Sequence, residues 1–219
     1  MKVNIHEYDD LEIELAEKHL GKYVETLVKL FLKSEEGVAL LETDPGAGGW
    51  ADCFLNYGYS YLGVFPTRMT RVEVEEILTD LFPRKISLLS PEDADEIIPE
   101  LLAFWTFLQR EYQLVHAGTI LRFLRKIEPE FHSIMNDSSR FGMAKSFVAM
   151  GSEMGFDMTD EADMQKFMLH YNEHIANTSA EPPGIQRILP PRQSENLKRI
   201  SQITGTRNQR KRMRKKRNR

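Results

Sequence analysis

The sequence has one cysteine in 219 residues, Cys53, which excludes an internal disulfide and fits a reducing compartment. No stretch approaches the roughly 18 consecutive apolar residues of a membrane span. The opening residues, MKVNIHEYDD, lack the apolar run of a secretory signal. Ten prolines and 13 glycines are too few for a collagen-like or low-complexity chain. No repeat of fixed length recurs. Period-two alternation is also missing, apart from a short candidate extended piece at Val38–Leu41. What is present, 41% hydrophobic and 28% charged residues, suits one soluble globular domain with or without a tail.

The formal net charge of −4 conceals an uneven distribution. From Arg187 to Arg219 there are 13 Lys/Arg and one acid, Glu195, a formal +12. Residues 1–186 hold 16 basic against 32 acidic side chains, a formal −16. Such a split marks a basic interaction tail on an acidic body. Composition changes at the same place: from Thr178 onward Pro182, Pro183, Pro190 and Pro191 interrupt the chain, and aromatic residues are missing. The expected organisation is a helical domain over 1–177, a proline-containing linker over 178–206, and a disordered Arg/Lys-rich tail over 207–219.

Within the body, apolar residues recur at helical spacing. Leu11, Leu15, Tyr23, Leu27, Leu30 and Phe31 predict helix over 8–36, as one helix or as two divided near Gly21. The run Asp44-Pro45-Gly46-Ala47-Gly48-Gly49 predicts a loop. Trp50, Phe54, Tyr57 and Tyr61 then share a helix face, which Pro66 should end. Thr70 and Glu73 have capping-box spacing ahead of an apolar face, Val74, Ile77, Leu78 and Leu81, that runs up to Pro83. Ser90-Pro91 with Glu92 and Asp93 is another start. That helix should reach Tyr112, bury Ile97, Leu101, Phe104, Trp105 and Leu108, and kink or break at Pro99. Further helices are expected near 115–127, 129–136, 139–154 and 160–175, with Thr159 as an N-cap and Gly155 just past a C-terminus. The fold class is therefore all-α, a single multi-helix globular domain.

The densest chemical signal is at the basic end. Arg207, Arg210, Lys211, Arg212, Arg214, Lys215, Lys216, Arg217 and Arg219 place nine cations in 13 residues. They repel one another in any compact isolated structure. They suit a polyanion, because guanidinium forks pair with phosphate oxygens and bound cations release condensed counterions. With no aromatic to stack on bases, the tail alone has little means of sequence readout. Contact with nucleic acid or a ribonucleoprotein is the expected role, with RNA or the ribosome favoured. A tail that serves solubility or lies on the acidic body is the alternative; nuclear import is a further one in a eukaryote.

Other motifs carry less. His170 and His174 are i and i+4 on one helix, but no further ligands accompany them, so no metal is expected. A di-iron bundle needs Glu-x-x-His pairs, and none of the six histidines has Glu three residues before it. Gly46-Ala47-Gly48-Gly49-Trp50-Ala51 fits the dinucleotide pattern G-x-G-x-x-A only superficially, since helices rather than a βαβ unit follow. Gly142-Met143-Ala144-Lys145-Ser146 ends like a phosphate loop without its glycines and reads as the first turns of a helix from Ser138 or Ser139; Lys145 is an anion-binding candidate there. Cys53 has no base partner at a recognisable spacing and is expected as a buried small hydrophobe. The aromatics Trp50, Phe54, Tyr57, Tyr59, Tyr61 and Phe65 predict core, with a partner groove as the alternative. Acids at Glu73/Glu75/Glu76 and Asp157/Asp160/Glu161/Asp163 sit at helix starts, where the dipole accounts for them.

Five motifs stand out as a set: Phe82-Pro83-Arg84-Lys85-Ile86, Phe104-Trp105-Thr106-Phe107-Leu108, Phe141-Gly142-Met143-Ala144-Lys145-Ser146, Gly155-Phe156-Asp157-Met158-Thr159-Asp160 and Tyr171-Asn172. Together they resemble an uncharacterised bacterial all-helical family, some relatives of which carry a cysteine-rich SEC-C metal-binding motif. The similarity spans roughly residues 20–175. This chain lacks the SEC-C cysteines and ends in the Arg/Lys run instead. The resemblance implies a helical fold and a bacterial, cytoplasmic setting, and brings no activity with it.

The leading expectation is a non-catalytic binding protein without a cofactor or membrane attachment, whose tail contacts RNA or ribonucleoprotein. The second is a helical adaptor that meets a protein partner through an aromatic or acidic face. The third is an enzyme or small-molecule binder with an anion or ligand pocket near Arg84, Lys85 and Lys145.

Overall fold

The computed structural model describes residues 4–6 and 13–177, with side chains at 4–6 and 19–173. All regular structure among them is helical, so the expected all-α domain is what forms. In order come α1 (Ile13–Leu32), α2 (Glu35–Leu41), α3 (Gly49–Leu62), α4 (Arg71–Glu76), a π turn (Ile77–Leu81), α5 (Phe82–Lys85), a 3-10 turn (Pro91–Asp93), α6 (Ala94–Tyr112), α7 (Ala117–Asn136), a second 3-10 turn (Ser138–Arg140), α8 (Met143–Glu153) and α9 (Glu161–Asn177). No helix among the described residues is long and apolar enough to cross a membrane. Contacts divide the chain between Ser179 and Ala180, and every described residue lies on the N-terminal side. The linker and tail expected over 178–219 lie outside the described residues.

The caps set most boundaries. The Thr70 capping box forms: the Thr70 hydroxyl accepts from the Val72 amide at 3.2 Å, and the Glu73 carboxylate accepts from the Thr70 amide at 2.8 Å. Gly155 does close α8, as Gly155 N–H donates to Ser152 O and Phe156 N–H to Gly151 O, both at 3.0 Å. Other boundaries differ from expectation. The helix of 8–36 passes through exposed Gly21 unbroken and ends at Leu32. Ser34 then starts α2 by accepting from the Gly37 amide at 3.2 Å, so Val38–Leu41 is helical rather than extended. Gly63, at φ 67°, ends α3 before Pro66 is reached. Asp160, not Thr159, caps α9; its carboxylate accepts from the Asp163 amide at 2.9 Å.

The prolines break less than their chemistry suggests. α6 continues through Pro99, and α7 through Pro129, joining two expected helices into one. Each proline removes a donor from the carbonyl four residues earlier. Here Pro99 and Asp95, like Pro129 and Arg125, lie on exposed faces, where the orphaned carbonyl is not sealed in the core. Pro83 is buried and needs a protein partner. The π turn ahead of it bonds Phe82 N–H to Ile77 O, and Arg140 Nη1 donates at 2.9 Å to Thr79 O, the carbonyl that Pro83 leaves open.

The core gathers around α6, which packs most extensively on α7 and also meets α2 and α3. Ile97, Leu101, Phe104, Trp105 and Leu108 are all fully buried, the face the periodicity had marked. Phe31 of α1 meets Phe104 edge-on at 5.4 Å, and Phe54 of α3 meets Trp105 at 6.3 Å. Trp105 Nε1 has no hydrogen-bond partner, so this residue is held by area and not by its polar atom. Among the described residues the core draws on none beyond Met135. α8 and α9 build a separate small cluster, in which Phe167 is fully buried against Phe147 at 4.7 Å and Phe156 at 5.4 Å.

Candidate functional site

Among the described residues two charged side chains are buried, Glu100 and Lys145, and each caps helix ends. Glu100 lies on the apolar stripe of α6, three residues after Ile97 and four before Phe104. Its Oε2 accepts from Gly48 N at 2.9 Å and its Oε1 from Ala51 N at 2.6 Å. Those amides belong to the start of α3, whose N-cap Gly48 has φ 108° and no side chain to supply an acceptor. An added Cβ at Gly48 would meet Leu32 Cδ1 at 3.1 Å in a backbone conformation that L-residues avoid. The carboxylate from α6 thus does the capping, at the positive end of the α3 dipole. Burial pushes the Glu100 carboxyl above its ordinary value; bonds from Ala51, Gly48 and Trp50 amides pull it down, and burial prevails. Within the stretch that imitates a dinucleotide loop, the Gly48 and Ala51 amides are therefore taken by the Glu100 carboxylate, while the Gly46 amide donates to Asp44 Oδ1 and the Ala47 amide to Asp44 O. Nothing in the sequence analysis singled out Glu100. The available signal was an acid sitting on an apolar helix face.

Lys145 is the third residue of α8. Its ammonium donates to Pro83 O at 3.1 Å and to Met135 O at 3.1 Å, and lies 3.9 Å from the centre of the Phe141 ring. Pro83 and Met135 are in the last turns of α5 and α7, so one cation serves the negative ends of two helices. Burial lowers its pKa to about 8. The neighbouring Gly142 amide donates to Arg84 O at 2.8 Å, where an added Cβ would stand 2.7 Å from that oxygen. The two segments carrying Arg84, Lys85 and Lys145 are thus brought together through their backbones. Their charged ends diverge: Arg84 is 3.8 Å from Asp80, Lys85 sits 4.6 Å over the Tyr61 ring, and Lys145 is enclosed. The expected helix from Ser138 or Ser139 begins instead at Met143, after a 3-10 turn.

The other candidates are placed as follows. Cys53 is half-buried, and burial together with Asp52 raises its thiol to about 11, so it is not a thiolate near neutrality. Phe54 and Phe65 are in the core, and Trp50, Tyr57, Tyr59 and Tyr61 pack against it. Burial raises the Tyr57 phenol to about 12. His170 is exposed with its ring 6.5 Å from Phe156, and the His174 side chain lies outside the described residues. His132 Nδ1 is 3.0 Å from Asp95 Oδ1 on the surface. Among the described residues no three His, Cys, Asp or Glu are grouped to hold a metal. An open depression of about 320 Å³ lies along α7 between Pro129 and Arg140, with Glu130 and Asp137 on its wall. The cations Arg207, Arg210, Lys211, Arg212, Arg214, Lys215, Lys216, Arg217 and Arg219 lie outside the described residues.

No family model, curated protein or solved structure matches the chain.

Proposed function

We propose that this chain is a non-catalytic binding protein of the bacterial cytoplasm whose Arg/Lys run at 207–219 contacts nucleic acid or ribonucleoprotein, RNA in preference. The observation that carries this reading is the charge split, −16 over 1–186 against +12 over 187–219. Net charge argues for weak attraction to a polyanion, because the whole molecule is acidic. Local charge argues for binding, because at ~0.15 M salt the Debye length is about 8 Å and cations further than that from the body escape its field. The local effect is the larger one for nine cations packed into 13 residues. The helical domain adds support of another kind. Its two buried charges are engaged by helix ends and Cys53 is held as a thiol, so these groups act in the fold, which favours binding over catalysis. The bacterial setting rests on the motif resemblance.

The test compares the full chain with one ending at Thr206 in RNA binding across a salt series. For single strands, log affinity falls with log salt at about −0.7 per phosphate neutralised, so about four or five contacts give a slope near −3. The full chain should show such a slope, and truncation should remove most of it without moving the melting temperature. Equal binding by both chains at low salt overturns the reading.

A further inference from the structure

Among the described residues, six of the ten large apolar side chains that remain exposed, five methionines and Leu169, lie on one hairpin, the others being Val38, Val72, Leu89 and Val115. Met143 and Met150 of α8, Met154 just past its end, and Met164 and Met168 of α9 are between 39% and 57% exposed. Their spacing is ordered. Met143, Phe147, Met150 and Met154 follow at i, i+4, i+7 and i+11, and Met164, Met168 and Tyr171 at i, i+4 and i+7, each set a single helix stripe. The stripes border one another, since the Phe147 ring meets Tyr171 edge-on at 5.4 Å. Soluble proteins rarely leave such a row uncovered, and methionine is the apolar side chain best able to adapt to a partner.

The charge around this face narrows what covers it. Glu153, Asp157, Asp160 and Glu161 are exposed at the turn between the helices. The cations of the hairpin do not offset them: Lys166 pairs with Asp163 at 2.7 Å, and Lys145 is enclosed by carbonyls. The three acids at the start of α9 suit its dipole, but Glu153 is in the last turn of α8, where a carboxylate is disfavoured. Its presence there has no explanation within the helix. A negative rim repels phosphates of nucleic acid and of lipid alike, and favours a cationic partner.

We infer that the methionine face of α8 and α9 is a docking surface for a cationic amphipathic helix of a partner protein. The helix lays its apolar side on the methionines and its Lys/Arg residues toward Glu153, Asp157, Asp160 and Glu161, a groove-type recognition of a helix. This proposal concerns residues of α8 and α9 and not the cations at 207–219, and goes beyond the RNA reading.

The probes are an 18-residue Leu/Lys amphipathic peptide and a Leu/Gln peptide with the same apolar face, titrated into the full chain. The Lys peptide should bind at least tenfold more tightly than the Gln peptide. It should shift the methyl resonances of Met143, Met150, Met154, Met164 and Met168 while leaving buried Met69 and Met135 unmoved. Met150→Lys with Met168→Lys should weaken it at least tenfold, and Glu153→Gln with Glu161→Gln about fivefold. RNA binding by these variants should equal that of the parent, which separates a failure here from a failure of the tail reading. Equal binding of the two peptides, unmoved exposed methyls, or unchanged affinity in the methionine pair overturns the proposal. So does a dimer of the full chain that the methionine pair dissociates, since the occupant is then a second copy.

Discussion

The bundle of α1 to α7 and the hairpin of α8 and α9 belong to one chain but are held by different forces. The bundle closes over rings and aliphatic side chains, with Trp105, Phe104, Phe54 and Phe31 all fully buried. At about 25 cal/mol per Å² of apolar surface, each such ring contributes a few kcal/mol. Among its described residues the hairpin encloses only one apolar side chain completely, Phe167, and it and the 3-10 turn before it are joined to the bundle by polar bonds: Arg140 to Thr79 O, the Gly142 amide to Arg84 O, and Lys145 to Pro83 O and Met135 O. Net values for single hydrogen bonds are near 1 kcal/mol. The carbonyls at this joint are ones a helix has left without a donor, through Pro83 or through its own C-terminus. The comparison shows how an element with little core of its own is attached: it supplies the donors that the ends of other helices lack.

Three substitutions sharpen the contrast. Trp105→Ala should have the largest effect, about 3–5 kcal/mol, as large aromatic truncations do. Against a domain total of about 5–15 kcal/mol, the whole bundle should melt far earlier or the chain become insoluble. An unchanged melting curve would show that this ring is not central to the core.

Glu100→Ala comes next. It leaves the Gly48 and Ala51 amides without their acceptor, at about 1–3 kcal/mol for each buried group. Amide exchange should accelerate first at residues 48–51, ahead of α6. Uniform acceleration across the bundle would mean that packing volume, and not the cap, is what the carboxylate supplies.

Lys145→Met should have the smallest global effect and the most local one. About 1 kcal/mol per carbonyl is lost, and exchange in α8 and α9 should rise while α6 and α7 stay protected. The lysine also carries a pH signature. Its folded pKa is lowered to about 8 from 10.5, so between those values the unfolded chain binds more protons and stability rises with pH. That contribution is complete above pH 10.5 and disappears as pH falls through about 8. Melting followed across this range should show the rise in the parent and its loss in Lys145→Met. An identical slope in both chains would assign the titration to another group.

Much of the bundle was legible because its signals are local. Thr70 and Glu73 meet within one turn, Gly155 closes the helix just before it, and the stripe through Trp105 needs only the helical period. The prolines misled because whether a proline breaks a helix depends on what surrounds the carbonyl it orphans. For Pro83 the answer is Arg140, 57 residues away in the chain. Candidate site residues were harder. The cationic run is visible in composition alone. Lys145 reads from sequence as an anion-binding candidate near a helix start, yet its partners are carbonyls at the ends of α5 and α7. Glu100 went unremarked because its significance lies in the amides of Gly48 and Ala51, about 50 residues earlier.

By itself the sequence determined that this protein is all-α, that a −16 body is joined to a +12 end, and which faces of the long helices turn inward. Those properties depend on period, composition and charge, which are written residue by residue. Tertiary structure alone decided where the buried charges go. A carboxylate becomes an N-cap, and an ammonium a double C-cap, only when helices distant in sequence present unsatisfied amides or carbonyls at hydrogen-bond distance, and no local pattern encodes that meeting.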